Sequence, residues 1–267
     1  MERDGIDGER VRDVLRKRAD VLAILSADGL DKPVLGDAVG VSRSTVDRAV
    51  AELVETGLVR LVDGEYEATH AGELGLETYR EYRDVTDTLG TAAPLFEALP
   101  DDAPVGTDLL EGGTVTYADP SFPEAALTEV LERIPEAETL RGFAPVVKTN
   151  YVSLLEDAVV EEGLSVEIVV KERTLDSLQS VAAARDEVSA FFAADAVDVF
   201  TTDEELPYAL WLLDGPDLEH AGITVHENGA VVGVLSNERP EAVANYRDQY
   251  EAIRERATRF DADALQE

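Results

Sequence analysis

The 267-residue chain contains no cysteine, one methionine, one tryptophan and only four lysines: Lys17, Lys32, Lys148 and Lys171. The lack of cysteine excludes disulfides, thiolate metal sites and cysteine nucleophiles. No apolar run approaches the roughly 18 residues needed to span a bilayer. Met1-Glu2-Arg3-Asp4-Gly5 has no apolar signal region, so the expectation is a cytoplasmic protein with no membrane partner. Familiar catalytic and nucleotide-binding spacings are also missing: there is no P-loop, GxGxxG, GxSxG or HExxH. Positive charge is scarce, with 23 Lys and Arg against 57 Asp and Glu, a formal net charge of −34.

What remains is still a folding sequence. Apolar residues make up 45% of the chain, enough for packed cores, and the length suits two domains. The acids are scattered along the chain rather than gathered in a tail. Their repulsion would penalise a compact fold in dilute salt, whereas at ~1 M the Debye length falls to roughly 3 Å and the penalty fades. An acid-rich, lysine-poor, cysteine-free composition therefore points to a cell interior holding molar salt, as in a halophilic archaeon. The charge is also uneven. Residues 1–70 carry 10 basic and 15 acidic side chains, while residues 71–267 carry 13 and 42. The first quarter is relatively basic, as expected of the part that meets a polyanion.

Local signals in residues 1–90 predict a defined order of elements. Val11, Val14, Leu15, Val21, Leu22 and Leu25 recur at helical spacing, giving a helix over about 8–26 that ends at Asp28-Gly29. Asp31 with Pro33 starts a second helix, which Gly40 ends. Ser42 caps a third, over about 43–56, ending at Gly57. Val59–Val62 and Glu65–Ala68 flank Asp63-Gly64, a favoured hairpin turn. Thr69 then caps a helix running to about Thr88. Three helices and a hairpin are the order of a winged helix-turn-helix. On the third helix, Val46, Val50, Leu53 and Val54 form the expected buried face. Ser42, Arg43, Ser44, Thr45, Asp47 and Arg48 form the polar N-terminal face, where a recognition helix meets double-stranded DNA. Arg60, on the first wing strand, is placed to reach the flanking backbone.

The stretch from Leu35 to Val59, LGDAVGVSRSTVDRAVAELVETGLV, resembles the winged-helix cores of archaeal transcription regulators, and Tyr66-x-x-Thr69-x-x-Gly72 resembles their wing-to-helix signature. Arg141-Gly-Phe-Ala-Pro145, Glu205-Leu-Pro-Tyr-Ala-Leu210 and Gly229-Ala-Val-Val-Gly233 resemble the domain of the methanogenesis regulatory protein FilR1 found in haloarchaeal regulators. The resemblance implies a phospholipase-D-like α/β fold for the second domain. The catalytic device of that superfamily pairs His with Lys two residues on. None of His70, His220 and His226 is so followed, and no catalytic residue, cofactor or metal site is expected.

The expected architecture is two-domain: a winged helix-turn-helix over 1–90, a Pro- and Gly-rich linker over 91–113, and a mixed α/β sheet domain over 114–267. Its candidate pocket lies at the C-terminal ends of strands, where open α/β sheets bind ligands. Arg141, Phe143, Lys148 and Tyr151 cluster after one strand; Tyr208 and Trp211, on a later apolar strand, are candidates either for a ligand stack or for the core. The expected function is a DNA-binding transcription regulator, acting as a homodimer, whose second domain senses a small-molecule effector or pairs the subunits. A winged helix that binds protein, and an enzyme carrying a DNA-binding module, are the alternatives.

Overall fold

The structure, a computed structural model, describes residues 7–119, 121, 123–147, 149–179, 188 and 190–261. The chain divides into two compact units, Met1–Asp84 and Val85–Glu267. No helix among the described residues is long and apolar enough to cross a membrane.

The first unit follows its caps. Asp7 accepts a hydrogen bond from the Glu9 amide at the start of α1 (Gly8–Ala27). Asp31 does the same for Val34 at the start of α2 (Lys32–Val39), which Gly40 ends in the left-handed region. Ser42 caps α3 (Arg43–Glu55). Strands β1 (Val59–Val62) and β2 (Glu65–Ala68) pair antiparallel across Asp63 and Gly64, whose φ of 52° and 96° give the turn that matches strand twist. Leu30 adds a bridge to Tyr66 on the outer edge of β2. The core joins Val14, Leu22 and Leu25 of α1 to Leu35, Val46, Val50, Leu53 and Val59.

The signature after the hairpin has a physical basis. The Thr69 hydroxyl donates to the Gly57 carbonyl at 2.7 Å and accepts from the Gly72 amide at 3.1 Å, locking the hairpin to the next helix. Gly72 approaches so closely that a Cβ there would lie 2.1 Å from the Leu58 carbonyl oxygen.

Helix α4 (His70–Glu97) begins in the first unit and ends in the second. It is longer than the expected end near Thr88, and it runs through both Gly90 and Pro94. Ala92 and Leu95 are fully buried in the core of the second unit, so packing outweighs the two helix-breaking residues. Residues 91–113 are consequently not a free linker. Leu109 and Leu110, around a short 3-10 turn at Thr107–Leu109, belong to the same core.

The second unit is one eight-stranded mixed sheet. Strands β3 (Thr114–Tyr117), β4 (Thr139–Ala144), β5 (Ser165–Lys171), β6 (Val197–Thr202), β7 (Ala209–Gly215), β8 (Leu218–Glu227), β9 (Ala230–Asn237) and β10 (Thr258–Arg259) lie in the order β10-β6-β5-β4-β7-β8-β9-β3. The β4–β5–β6 pairs are parallel and the others antiparallel. Both faces are covered, and β7 shows why its sequence is apolar throughout. Leu210 and Leu212 enter a core with Tyr246 and Tyr250 of α8 (Pro240–Arg254). Trp211 and Leu213 enter the opposite core with Val130 of α5 (Thr128–Arg133) and Val152 of α6 (Thr149–Asp157). Helix α7 (Glu172–Gln179) follows β5 directly.

Candidate nucleic-acid interface and ligand cavities

On α3, Val46, Ala49, Val50 and Leu53 are buried, while Arg43, Ser44, Thr45, Asp47 and Arg48 are exposed. Val54, assigned to the buried face by its spacing, is exposed. Two ion pairs anchor the helix to α1: Arg18 with Glu52 at 2.8 Å, and Arg10 with Glu55 at 2.9 Å. At its N-terminus the Ser42 hydroxyl lies 3.0 Å from that of Ser44 and 2.9 Å from that of Thr45, so three hydroxyls gather at the positive end of the helix.

Asp47 would repel a polyanion at this face, but Lys32 contacts its carboxylate at 2.7 Å. That hydrogen bond holds Asp47 below the usual carboxylate range. The Lys32 ammonium also lies 5.6 Å from the centre of the Tyr66 ring, tying α2, α3 and the hairpin together. Lys32 is the residue that sequence reasoning passed over; its rarity in this chain was the available signal. Arg43 and Arg48 form no salt bridge among the described residues. Arg60 is exposed but engaged, contacting Glu67 across the hairpin at 2.7 Å.

Of the ligand residues expected in the second unit, Phe143 meets Tyr208 and stands with Trp211 in the wall of one cavity, while Arg141 is engaged elsewhere. Arg141 contacts Asp214 at 2.7 Å on the α8 face of the sheet. Phe143 stacks on Tyr208 with ring centres 5.7 Å apart. Tyr208 is fully buried, its hydroxyl 2.7 Å from Gln249 Oε1 and 3.1 Å from the Pro104 carbonyl oxygen. These three contacts are internal to the fold. The alternation along β4 turns Arg141 and the Phe143 ring away from the α5 face. Tyr151 belongs to α6, and Lys148 lies outside the described residues.

Trp211 does border open space. A cavity of about 160 Å³ is walled by Leu127, Val130, Ile134, Ile168, Phe191 and Trp211 and is almost wholly apolar. The indole meets His220 edge-to-face on its other side, with ring centres 5.0 Å apart. Among the described residues no group of three or more His, Asp or Glu could hold a metal ion.

Comparison with known proteins adds the following. Residues 123–256 match the model of the methanogenesis regulatory protein FilR1 middle domain, and residues 10–89 match that of the HVO_A0261 N-terminal domain. No curated protein matches the chain. Similar solved structures include TrmBL2, an archaeal chromatin protein with a novel mode of DNA binding (13% identity, 95% of this chain and 100% of that one, TM-score 0.42). They also include Nuc, a phospholipase D family member from Salmonella typhimurium (15% identity, 55% and 98%, TM-score 0.41). NucT from Helicobacter pylori is similar over the same shares at 13% identity and a TM-score of 0.40.

Proposed function

Because the chain belongs to the family defined by the FilR1 middle domain, and carries a three-helix-and-hairpin unit ahead of that domain, we propose that it is a transcription regulator that binds double-stranded DNA. In this reading the first unit is a winged helix-turn-helix with α3 as its recognition helix. The observation that carries it is the N-terminal face of α3. Its one acid, Asp47, is neutralised by Lys32, while Arg43 and Arg48 stay exposed and form no salt bridge among the described residues. In a protein with more than twice as many acids as bases, two exposed arginines held by no salt bridge among the described residues fit an external anion. The second unit senses a small molecule and contributes to pairing of two copies, consistent with two half-sites read by a symmetric dimer.

The test is selection of bound duplexes from fragmented DNA in molar KCl, followed by titration of the enriched sequence. Arg43→Ala and Arg48→Ala should each weaken binding by about 1–3 kcal/mol if the arginine contacts a base edge bidentately. Unchanged affinity in the folded double variant would overturn the assignment of α3.

A further inference from the structure

Small residues leave a hollow in the α5 face of the sheet. Gly142 of β4 stands between Ile168 of β5 and Trp211 of β7. Ala144 and Ala209 come next along the same face, and Ala209 pairs in turn with Thr224 of β8. Val130 of α5 and Val152 of α6 lie over this hollow, which is the cavity of about 160 Å³ that Trp211 borders. In a chain that is 30% charged, no Asp, Glu, Lys or Arg among the described residues lines it. The polar side chains in its wall are those of Thr224 and His226, both on β8. Thr224 is only 4% exposed, and its hydroxyl has no hydrogen-bond partner among the described residues. That hydroxyl is not sealed off, as the buried oxygens of Ser236 and Tyr246 are, so a molecule in the cavity can reach it.

From this geometry we propose that the cavity beneath α5 and α6 binds a small uncharged aromatic compound carrying one hydrogen-bonding group. An apolar cavity of roughly 150 Å³ admits a molecule the size of benzene and holds water poorly. Left empty, its walls forfeit the dispersion contacts that an occupant restores. A charged ligand would lose its hydration with no opposite charge to meet it. A polyol would leave most of its hydroxyls unpaired against aliphatic walls. A ligand without any polar group would leave the Thr224 hydroxyl unsatisfied, whereas one hydroxyl can donate to it or accept from it. The rings of Trp211, Phe191 and Phe192 stand around the space, and their faces and edges pack favourably on another ring.

This assignment names the ligand class of the sensor proposed above, and rests on that reading for its regulatory meaning. Its test uses the full chain in molar KCl, with benzyl alcohol and toluene as probes and benzoate and glycerol as controls. The emission of Trp211, the only tryptophan, reports occupancy because its ring borders the cavity. Benzyl alcohol should shift that emission saturably and raise the melting temperature. Benzoate should bind at least about tenfold more weakly, as a charge without a partner does, and glycerol should do neither. Ala209→Leu fills the hollow from its floor. It should abolish the response and leave the melting temperature without ligand unchanged or higher, as cavity filling does. Thr224→Val removes the hydroxyl but keeps the shape. It should weaken benzyl alcohol about fivefold, the loss of one hydrogen bond, and leave toluene unaffected. If Ala209→Leu does not fold, Thr224→Val and the order of the four compounds still decide the matter. Silence with both aromatics, benzoate binding as tightly as benzyl alcohol, a response that survives in folded Ala209→Leu, or equal effects of Thr224→Val on both aromatics would each overturn the proposal. Binding that follows the expected order but leaves DNA affinity unchanged would overturn the sensor reading and leave the ligand assignment standing.

Discussion

Asp214 sits between two guanidiniums, Arg141 at 2.7 Å and Arg247 of α8 at 2.6 Å. Burial alone would raise its pKa, but the hydrogen bonds from both arginines outweigh this and hold it below the usual carboxylate range. A carboxylate depressed in the folded state contributes stability above its unfolded pKa and loses it as the pH falls through the folded value. Asp214→Asn should therefore cost about 1–3 kcal/mol near neutral pH. The gap from the parent should close on acidification below about pH 4. Denaturant melts of both proteins across that range check this; a gap constant with pH would mean that the charge is not what stabilises the site. A second test at this scale is Gly72→Ala, whose Cβ would meet the Leu58 carbonyl oxygen. It should destabilise the first unit by about 1–3 kcal/mol or more, as overpacking does, seen as a lower melting temperature. That His220 and Ser236 lie side by side was not legible in the sequence. Their pairing depends on which strands are neighbours, and β8 and β9 place them diagonally only through the sheet register. Arg141 looked available for the complementary reason: its partner Asp214 lies on a strand far along the chain.

At the scale of elements, the first unit was readable because each boundary is set by a residue within a few positions. Asp7, Asp31 and Ser42 cap their helices, Gly40 ends α2, and Asp63-Gly64 turns the hairpin. Helix α4 was misread because Gly90 and Pro94 are local signals, whereas the burial of Ala92 and Leu95 is not. The same helix leaves Leu74, Tyr82 and Leu89 exposed by 50%, 64% and 44%. By contrast, α8 spends Val243, Tyr246 and Tyr250 on its own core. We expect α4 to carry the contact between copies. Light scattering in molar KCl should show a dimer, and Leu74→Glu with Leu89→Glu should shift it to monomer. A monomeric parent, or a dimer indifferent to both changes, would remove α4 from this role.

For the whole molecule the governing quantity is the net charge of −34. Most arginines described here are held by carboxylates within the fold, as in Arg10–Glu55, Arg18–Glu52, Arg60–Glu67 and Arg256–Glu204. Few remain to neutralise phosphates, so few counterions would be released on DNA. The slope of log affinity against log salt should be shallow between roughly 0.5 and 2 M KCl, where screening is within about 3–4 Å. A binding titration with circular dichroism as the folding control tests this. A slope near −5, equivalent to five or six neutralised phosphates, would show ordinary counterion release. Folding itself should be lost in dilute salt as the acids repel one another.

The sheet order also dictates a sequence of events in time. The first unit joins only near neighbours, with every one of its strands and its first three helices complete by Ala68. In the second unit β3 must wait for β9, since Thr114 pairs with Ser236, and β6 gains its outer neighbour only when Thr258 arrives. During synthesis the first unit can close while the second still holds an unpaired strand at each edge. Such distant pairings fold slowly and leave edges open to other chains. The interval between Tyr117 and Ala230 is therefore the stretch of synthesis in which this chain is most exposed to misassembly.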